Sequence, residues 1–360
     1  MLLFMLIPIV GHIYVFWHVW NIVPLHNWLK IILLVLLSLG FISLLVGFGA
    51  GLDKMPMPLA TGVYEFGTSS VFVLLYAVML FLLLDMGRLA HLVPKHFVYN
   101  SLLGTFTVLG VLLAVFVYGN IHYNNKVRQE LHLNTSKHLD KPLKVVMISD
   151  LHLGYHNRRA EFARWVGLIN AERPDLVLIA GDIIDISVRP LLEEHVAEEF
   201  RRIKVPIYAC LGNHEYYSGD ANAEKFYRDA NINLLRDSVV QVMDLNLVGR
   251  DDRTNGRRAS LKTLMGKVDP SKYTILLDHQ PYHLEEAQRA GVDFQLSGHT
   301  HYGQVWPISW IEDTIYEDAY GPLTKGNTHY YVTSGIGIWG GKFRIGTRSE
   351  YVVATISKSF

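Results

Sequence analysis

The chain has 360 residues, with 33 basic and 33 acidic side chains and 50% apolar residues. That length is long for one ordinary domain, and the balanced charge implies no nucleic-acid or other polyanion partner. The single cysteine, Cys210, excludes an intramolecular disulfide framework; within the apolar run 206–211 it reads as a packed core thiol.

Before Lys126 the charged residues are Lys30, Asp53, Lys54, Glu65, Asp85, Arg88 and Lys95, and all the rest follow. Uncharged stretches at 1–29, 31–52, 66–84 and 96–125 supply spans near 3–20, 31–50, 69–87 and 101–119, which match the roughly 20 helical residues that a hydrocarbon core requires. Residues 1–120 are therefore expected to form a transmembrane region of about four helices, with 121–142 as a linker. The first stretch has no basic leader and no small-residue cleavage pattern, which favours a retained span over a signal peptide. Trp17, Trp20, Trp28 and Tyr118 suit an interfacial belt. Asp85 and Arg88, three residues apart at a helix end, are expected to pair. Four spans place the N-terminus and the soluble part on one face of the membrane. Lys30, Arg88 and Lys95 in loops one and three point the soluble part outward, whereas Lys126, Arg128, Lys137 and Lys141 argue the reverse. The expectation leans to the extracytoplasmic side.

From residue 143 the pattern changes. Run 143–148 has strand length, 158–172 has helical spacing, 175–180 is a second buried strand, and 190–203 reads as an amphipathic helix. A strand at 207–211 and a helix at 221–230 follow. Strands are then expected near 237–243, 245–249, 273–278, 294–297, 329–333 and 351–356. Alternating strands and helices imply a layered α/β domain over 143–360, whose ligands sit beyond the carboxyl ends of strands.

Polar motifs stand where such strands end: Ser149-Asp150-Leu151-His152, Ala180-Gly181-Asp182-Ile183-Ile184-Asp185, Leu211-Gly212-Asn213-His214-Glu215, Asp278-His279-Gln280-Pro281 and Ser297-Gly298-His299-Thr300-His301. Carboxylate, amide and imidazole donors without thiolates suit Mn, Fe or Zn, and argue against a closed structural zinc site. Any one motif alone is weak. Together and in order they resemble the calcineurin-like metallophosphoesterases, and the flanking text, including 149–154, 249–252, 334–337, Arg344 and Glu350, resembles the membrane-linked bacterial branch of that family.

The resemblance implies an αββα sandwich following the transmembrane helices. It implies two divalent metal ions: one on Asp150, His152, Asp182 and His301, the other on Asp182, Asn213, His279 and His299, with Asp182 bridging. It makes His214 the catalytic histidine, against the bland alternative of a structural one. Asp185 and Glu215 become supporting neighbours of the ligands. Paired metals acidify a water whose hydroxide attacks phosphorus. The expected activity is hydrolysis of a phosphate ester or pyrophosphate on a lipid-linked substrate such as a UDP-sugar lipid or phospholipid, with membrane lipids as the other partner. The alternatives are a tethered phosphodiesterase or phosphatase for soluble nucleotides, and a non-catalytic phosphate-binding module. Oligomeric state is not readable. Many relatives resemble Gly-His-Thr-His-Gly-Gly-Gln where this chain has Tyr302 after His301; a tyrosine there is expected to narrow or floor the pocket. Arg253, Arg257, Arg258 and Lys262 make a basic stretch that fits either an anionic headgroup or an ordinary exposed loop. His283 is near enough to His279 to line the site, whereas His156 and His195 match no motif.

Overall fold

The computed structural model describes residues 2–47 and 51–359. Met1, Phe360 and residues 48–50, the end of the second expected span, lie outside them. The chain divides into one unit of Met1–Ile121 with Gly340–Phe343 and another of His122–Trp339 with Arg344–Phe360.

Long uncharged sequence makes the first unit helical: α1 (Leu2–Ile22), α2 (Asn27–Val46), α3 (Met57–Leu89), the short α4 (Lys95–Val98) and α5 (Leu102–Asn124). Among the described residues α2, α3 and α5 are long and apolar enough to cross a membrane. The 21-residue α1 also lacks charged side chains. Val15, Ile22, Ala77, Phe81 and Val108 pack inside, while Ile31, Val35, Leu83, Leu109 and Leu113 are exposed, a surface suited to lipid contact. A Cβ on Gly67 would stand 2.6 Å from the Leu44 backbone nitrogen. Glycine therefore permits the close approach of α3 to α2. Asp85 does not pair with Arg88 as the spacing suggests. It accepts hydrogen bonds from Tyr14 Oη (2.7 Å) and His18 Nε2 (3.0 Å), while Arg88 lies over the Tyr99 ring. Another helix offers Asp85 a closer donor than its own turn does.

The second unit begins β1 (Lys126–Thr135), β2 (Leu143–Ile148), α6 (Arg159–Ala171), β3 (Leu176–Ala180), α7 (Arg189–Glu193), α8 (Ala197–Phe200), β4 (Ile207–Cys210), α9 (Asn213–Tyr217), α10 (Asp220–Asp229), β5 (Asn233–Leu234) and β6 (Ser238–Val242). It continues with β7 (Leu245–Gly249), α11 (Leu261–Met265), β8 (Tyr273–Leu277), α12 (Leu284–Ala290), β9 (Phe294–Ser297), α13 (Ile308–Ile315), β10 (Gly321–Lys325), β11 (Thr328–Val332) and β12 (Ser349–Lys358). Two six-stranded sheets result, ordered β1-β12-β2-β3-β4-β5 and β10-β11-β9-β8-β7-β6.

The period of two along each strand builds the layers. On β2, Val145 and Met147 join Leu247, Ile275 and Leu296 of the other sheet in one core, while Val146 and Ile148 join α6 residues Phe162, Val166 and Ile169 in another. On the far side of the second sheet Val248 and Leu276 pack with Leu261 and Leu264 of α11 and Leu284 of α12. Central strands buried on both faces explain their continuous apolar runs. The architecture is α/β, two sheets face to face between helical layers.

Two segments differ from expectation. Residues 126–135, expected within a linker, form β1 and pair in parallel with β12 from Lys126↔Ser349 to Thr135↔Lys358. The expected helix at 190–203 is broken into α7 and α8, with His195 left-handed at φ +53° between them. Strands β2, β3 and β4 run parallel, as do β7, β8 and β9. Their carboxyl ends therefore carry the polar motifs in register, at the edge where α/β folds place ligands.

Candidate metal centre

The motifs converge into clusters whose ligand atoms lie within 4.8 Å of one another: Asp150, His152 and His301; Asp182, His279 and His299; and His152, Asp185 and His214. Asp182 sits between the first two. Its Oδ2 is 3.6 Å from His152 Nε2 and 3.1 Å from His279 Nε2. Asp150 Oδ1 is 3.6 Å from His301 Nε2 and 3.9 Å from His152 Nε2. Asn213, at the start of α9, is buried beside this group.

Two of the imidazoles are aimed by their second nitrogens. His152 Nδ1 donates to Asp185 Oδ1 at 3.1 Å, and His279 Nδ1 donates to the Ala180 carbonyl at 2.7 Å. Both Nε2 atoms are thereby turned toward the carboxylates. Glu215 acts on the backbone of the motif loops. Its carboxylate accepts from the backbone nitrogens of Gly212 (2.7 Å), Ile184 (2.9 Å) and Asp182 (3.1 Å) and so ties two motif loops together. His214 Nδ1 donates to the Asp185 carbonyl at 3.0 Å, and its backbone N–H to Asp182 Oδ1 at 3.0 Å. A Cβ on Gly298 would meet Ser149 Oγ at 2.1 Å and Asp150 Oδ2 at 2.3 Å, so only glycine lets that loop close over the first cluster.

The residues fit divalent cations. Asn213 Oδ1 and His279 Nε2 are buried without a hydrogen-bond partner; the latter is near Asp182 but off a hydrogen-bonding axis. Such atoms are rare unless something else meets them. His152 Nε2 and His301 Nε2 face each other at 3.0 Å, about the separation of two nitrogens, each roughly 2.1 Å from one cation, at a right angle.

Electrostatics agree with a charge-dense pocket. Burial opposes the charge on His279, but Asp182 and Asp150 hold its pKa well above the ordinary value. For His214, Asp182 and Asp185 likewise outweigh burial and raise it to about 9. Burial, together with the charge of His279, lowers His299 to about 4. Asp150 is raised by burial, whereas neighbouring imidazoles overcome burial to hold Asp182 and Asp185 far below the usual carboxylate range.

Residues 143–303 match the family model described as calcineurin-like phosphoesterase. The chain carries a calcineurin-like metallophosphoesterase domain. It is 29% identical to an uncharacterized metallophosphoesterase of Campylobacter jejuni over 72% of this chain and 71% of that protein. It is 28% identical to the uncharacterized metallophosphoesterase YkuE of Bacillus subtilis over 60% of this chain and 79% of that one. It is 32% identical to the transmembrane protein with metallophosphoesterase domain of Danio rerio over 58% of this chain, and the match spans about half, 52%, of that protein. Residues 143–303 are thus a domain of the metallophosphoesterase family, and that family implies divalent metal ions.

The metallophosphoesterase domain also shows residues that the motifs do not reveal. Arg344 is fully buried. It donates through Nη1 to the His301 carbonyl at 2.6 Å and through Nη2 to the Ser334 and Gly337 carbonyls. It was visible in the sequence only as part of the flanking resemblance. Tyr302 packs against segments that follow it in the chain. Its ring stacks on Tyr320 at 5.0 Å, and its hydroxyl reaches Asp313 of α13 at 3.3 Å. In the basic stretch Arg258 joins Arg250 on Asp278, at 2.9 and 3.1 Å, while Arg257 and Lys262 are exposed. Arg253 lies 4.1 Å over Tyr282, which packs on Tyr316, which meets His299. The Arg253 Nη1 atom is buried without a hydrogen-bond partner. His283 is exposed at the start of α12, 3.5 Å from Glu285. His156 Nε2 donates to the Ile338 carbonyl at 2.7 Å, and His195 is exposed.

Proposed function

We propose that Asp150, His152, Asp182 and His301 hold one divalent cation and Asp182, Asn213, His279 and His299 a second, and that His214 serves the hydrolysis of a phosphate ester or pyrophosphate. The placement of Asp182 between two histidine clusters carries this reading: one carboxylate there offsets the repulsion of two cations. Such a pair supplies Lewis acidity toward a phosphoryl oxygen and acidifies water. Asp185 fixes both His152 and His214, so ligand and catalytic imidazole share one rigid support. With Nδ1 committed to the Asp185 carbonyl, His214 is left Nε2 to meet a substrate oxygen, as a proton donor or a stabiliser of developing charge. Arg253, with one nitrogen unpartnered beside the His299 wall, is the cation available to a second anionic group of the substrate.

The substrate is read as lipid-linked, on a multi-pass protein whose domain faces the extracytoplasmic side. Three bilayer-length helices on the same chain support the multi-pass reading, and Lys30, Arg88 and Lys95 between the spans support the side. Purified protein exchanged into Mn, Fe, Zn or Mg and assayed on lipid and soluble phosphoesters tests both levels. Hydrolysis abolished by Asp182→Asn and His214→Ala is expected. Failure with every metal on every ester sinks the catalytic reading, and equal turnover of soluble nucleotides sinks the lipid one.

A further inference from the structure

We propose that the outer face of α13 inserts into the lipid surface beside the metal centre, making the domain dock on the bilayer through a second contact that does not span it. Among the described residues the second unit exposes few large apolar side chains, and most lie together: Trp306 (38%), Trp310 (64%), Ile311 (57%) and Ile315 (53%). The others, Leu192, Tyr217 and Met243, are scattered in sequence. Positions 310, 311, 314 and 315 share one helical face, and Trp306 packs edge-on against Trp310 at 5.2 Å.

The same helix and the segment that follows it are fastened to the loop that carries His299 and His301. Ser309 is buried, and a Cβ on Gly303 would lie 2.4 Å from its backbone nitrogen. Asp313 accepts from Tyr302, Thr300 Oγ1 donates to the Ala319 carbonyl at 2.7 Å, and Tyr316 meets His299. What the outer face touches is therefore held at the mouth of the clusters.

A lipid surface suits this face better than a second copy. Taking roughly 100–150 Å² of exposed area per side chain, from the area an aromatic buries, the face offers about 500 Å². A stable protein interface needs about 800 Å² per partner. Tryptophan beside isoleucine is the composition of an interfacial helix. One residue separates α5, which is long enough to span, from β1, so the domain is tethered at high effective concentration to whatever bilayer α5 crosses. Helix α13 carries Glu312 and Asp313 and no basic residue, so the attraction is apolar and needs no anionic lipid.

This inference rests on the membrane-linked reading above but not on catalysis, and its test separates the two. The full chain in phosphatidylcholine vesicles would carry a nitroxide at Ile311→Cys or Ile315→Cys, with Leu192→Cys as the exposed control. Native Cys210 is fully buried and stays unlabelled. The expected result is collision with oxygen exceeding collision with a water-soluble nickel chelate at 311 and 315, and the reverse at 192. A nickel chelate that reaches 311 and 315 as readily as 192 overturns the proposal. So does dipolar broadening that disappears on dilution with unlabelled protein, which would assign the face to a second copy. In a parallel arm, Trp310→Ser with Ile311→Ser should slow hydrolysis of a vesicle-embedded phosphoester several-fold and leave a soluble nitrophenyl ester unchanged. Equal loss on both esters counts against docking. Lipid-exposed labels on a chain that hydrolyses nothing would sink the catalytic reading and leave the docking face standing.

Discussion

Replacing Arg344 by methionine should loosen the loop of His301 and weaken the whole domain. The side chain is fully buried, and its principal partners are backbone carbonyls: His301 at 2.6 Å, Gly337 at 3.0 Å and Ser334. Methionine fills much of the volume but donates nothing. Each carbonyl left unsatisfied costs about 1–3 kcal/mol. Water entering the vacated space offsets part of that, which leaves about 3–5 kcal/mol, among the larger effects of a single substitution. For a domain of this size 1 kcal/mol moves Tm by about 2–4 °C, so a fall of roughly 6–20 °C is expected in thermal unfolding of detergent-solubilised protein. Arg344→Lys should fall between, because a single ammonium cannot span carbonyls held by a planar fork. Metal content after dialysis should drop first at the cluster that includes His301. A Tm within about 2 °C of the parent, with metal content intact, would show that these hydrogen bonds do not hold the loop.

Other substitutions separate the roles of neighbouring groups. Asp185→Asn removes the carboxylate that orients His152 at 3.1 Å and should weaken metal affinity by about 10–100-fold, read by calorimetric titration; unchanged affinity would remove Asp185 from the ligand support. Arg253→Ala should raise KM for an anionic lipid ester by about tenfold, the value of one charge-assisted hydrogen bond, with kcat nearly constant; an unchanged KM would leave Arg253 a packing residue on Tyr282. Glu312 is pushed up from 4.5 to about 7 by burial and then by Asp313. The folded state binds that proton more tightly, so the stabilisation is full below about 4.5 and is lost as pH rises through about 7. Glu312→Gln should therefore flatten the decline of Tm across that window, and a decline as steep as the parent's would assign it to other groups.

The site was legible because its chemistry is concentrated in short runs at strand ends, where Asp150 and His152, or His299 and His301, are nearly adjacent. Support supplied from far along the chain was not. Arg344 follows His301 by 43 residues, and an arginine amid glycines carries no signal of total burial. The layers were legible from apolar runs such as 143–148. The edge was not, because β1 has an alternating exposure pattern with Arg128, Glu130 and His132 outward, and those charges read as linker. The break in the 190–203 helix rests on a left-handed residue, His195. Helical spacing on either side of such a residue is undisturbed, so periodicity cannot find it.

Backbone conformation adds a constraint that composition hides. Asp150 (φ +55°), His152 (+44°), Asp182 (+51°), His299 (+73°) and His301 (+49°) are all left-handed, each at a cost of about 1–2 kcal/mol for a residue with a Cβ. Carboxylates and imidazoles are crowded into the same small buried volume. A domain whose net stability is about 5–15 kcal/mol sustains such a site most readily when a ligand binds only the folded form. If the clusters hold cations, metal at about a thousand times its Kd contributes about 4 kcal/mol. Stripping it with a chelator should lower Tm by roughly 8–16 °C, and Mn, Fe or Zn should restore it. Asp182→Asn should abolish that restoration, because it removes the ligand common to both sites, and His279→Ala should reduce it, because it removes a ligand of the second. An identical Tm with and without chelator, in protein shown to be metal-loaded beforehand, would mean that the strain is carried by packing alone and that these residues do not hold the metal.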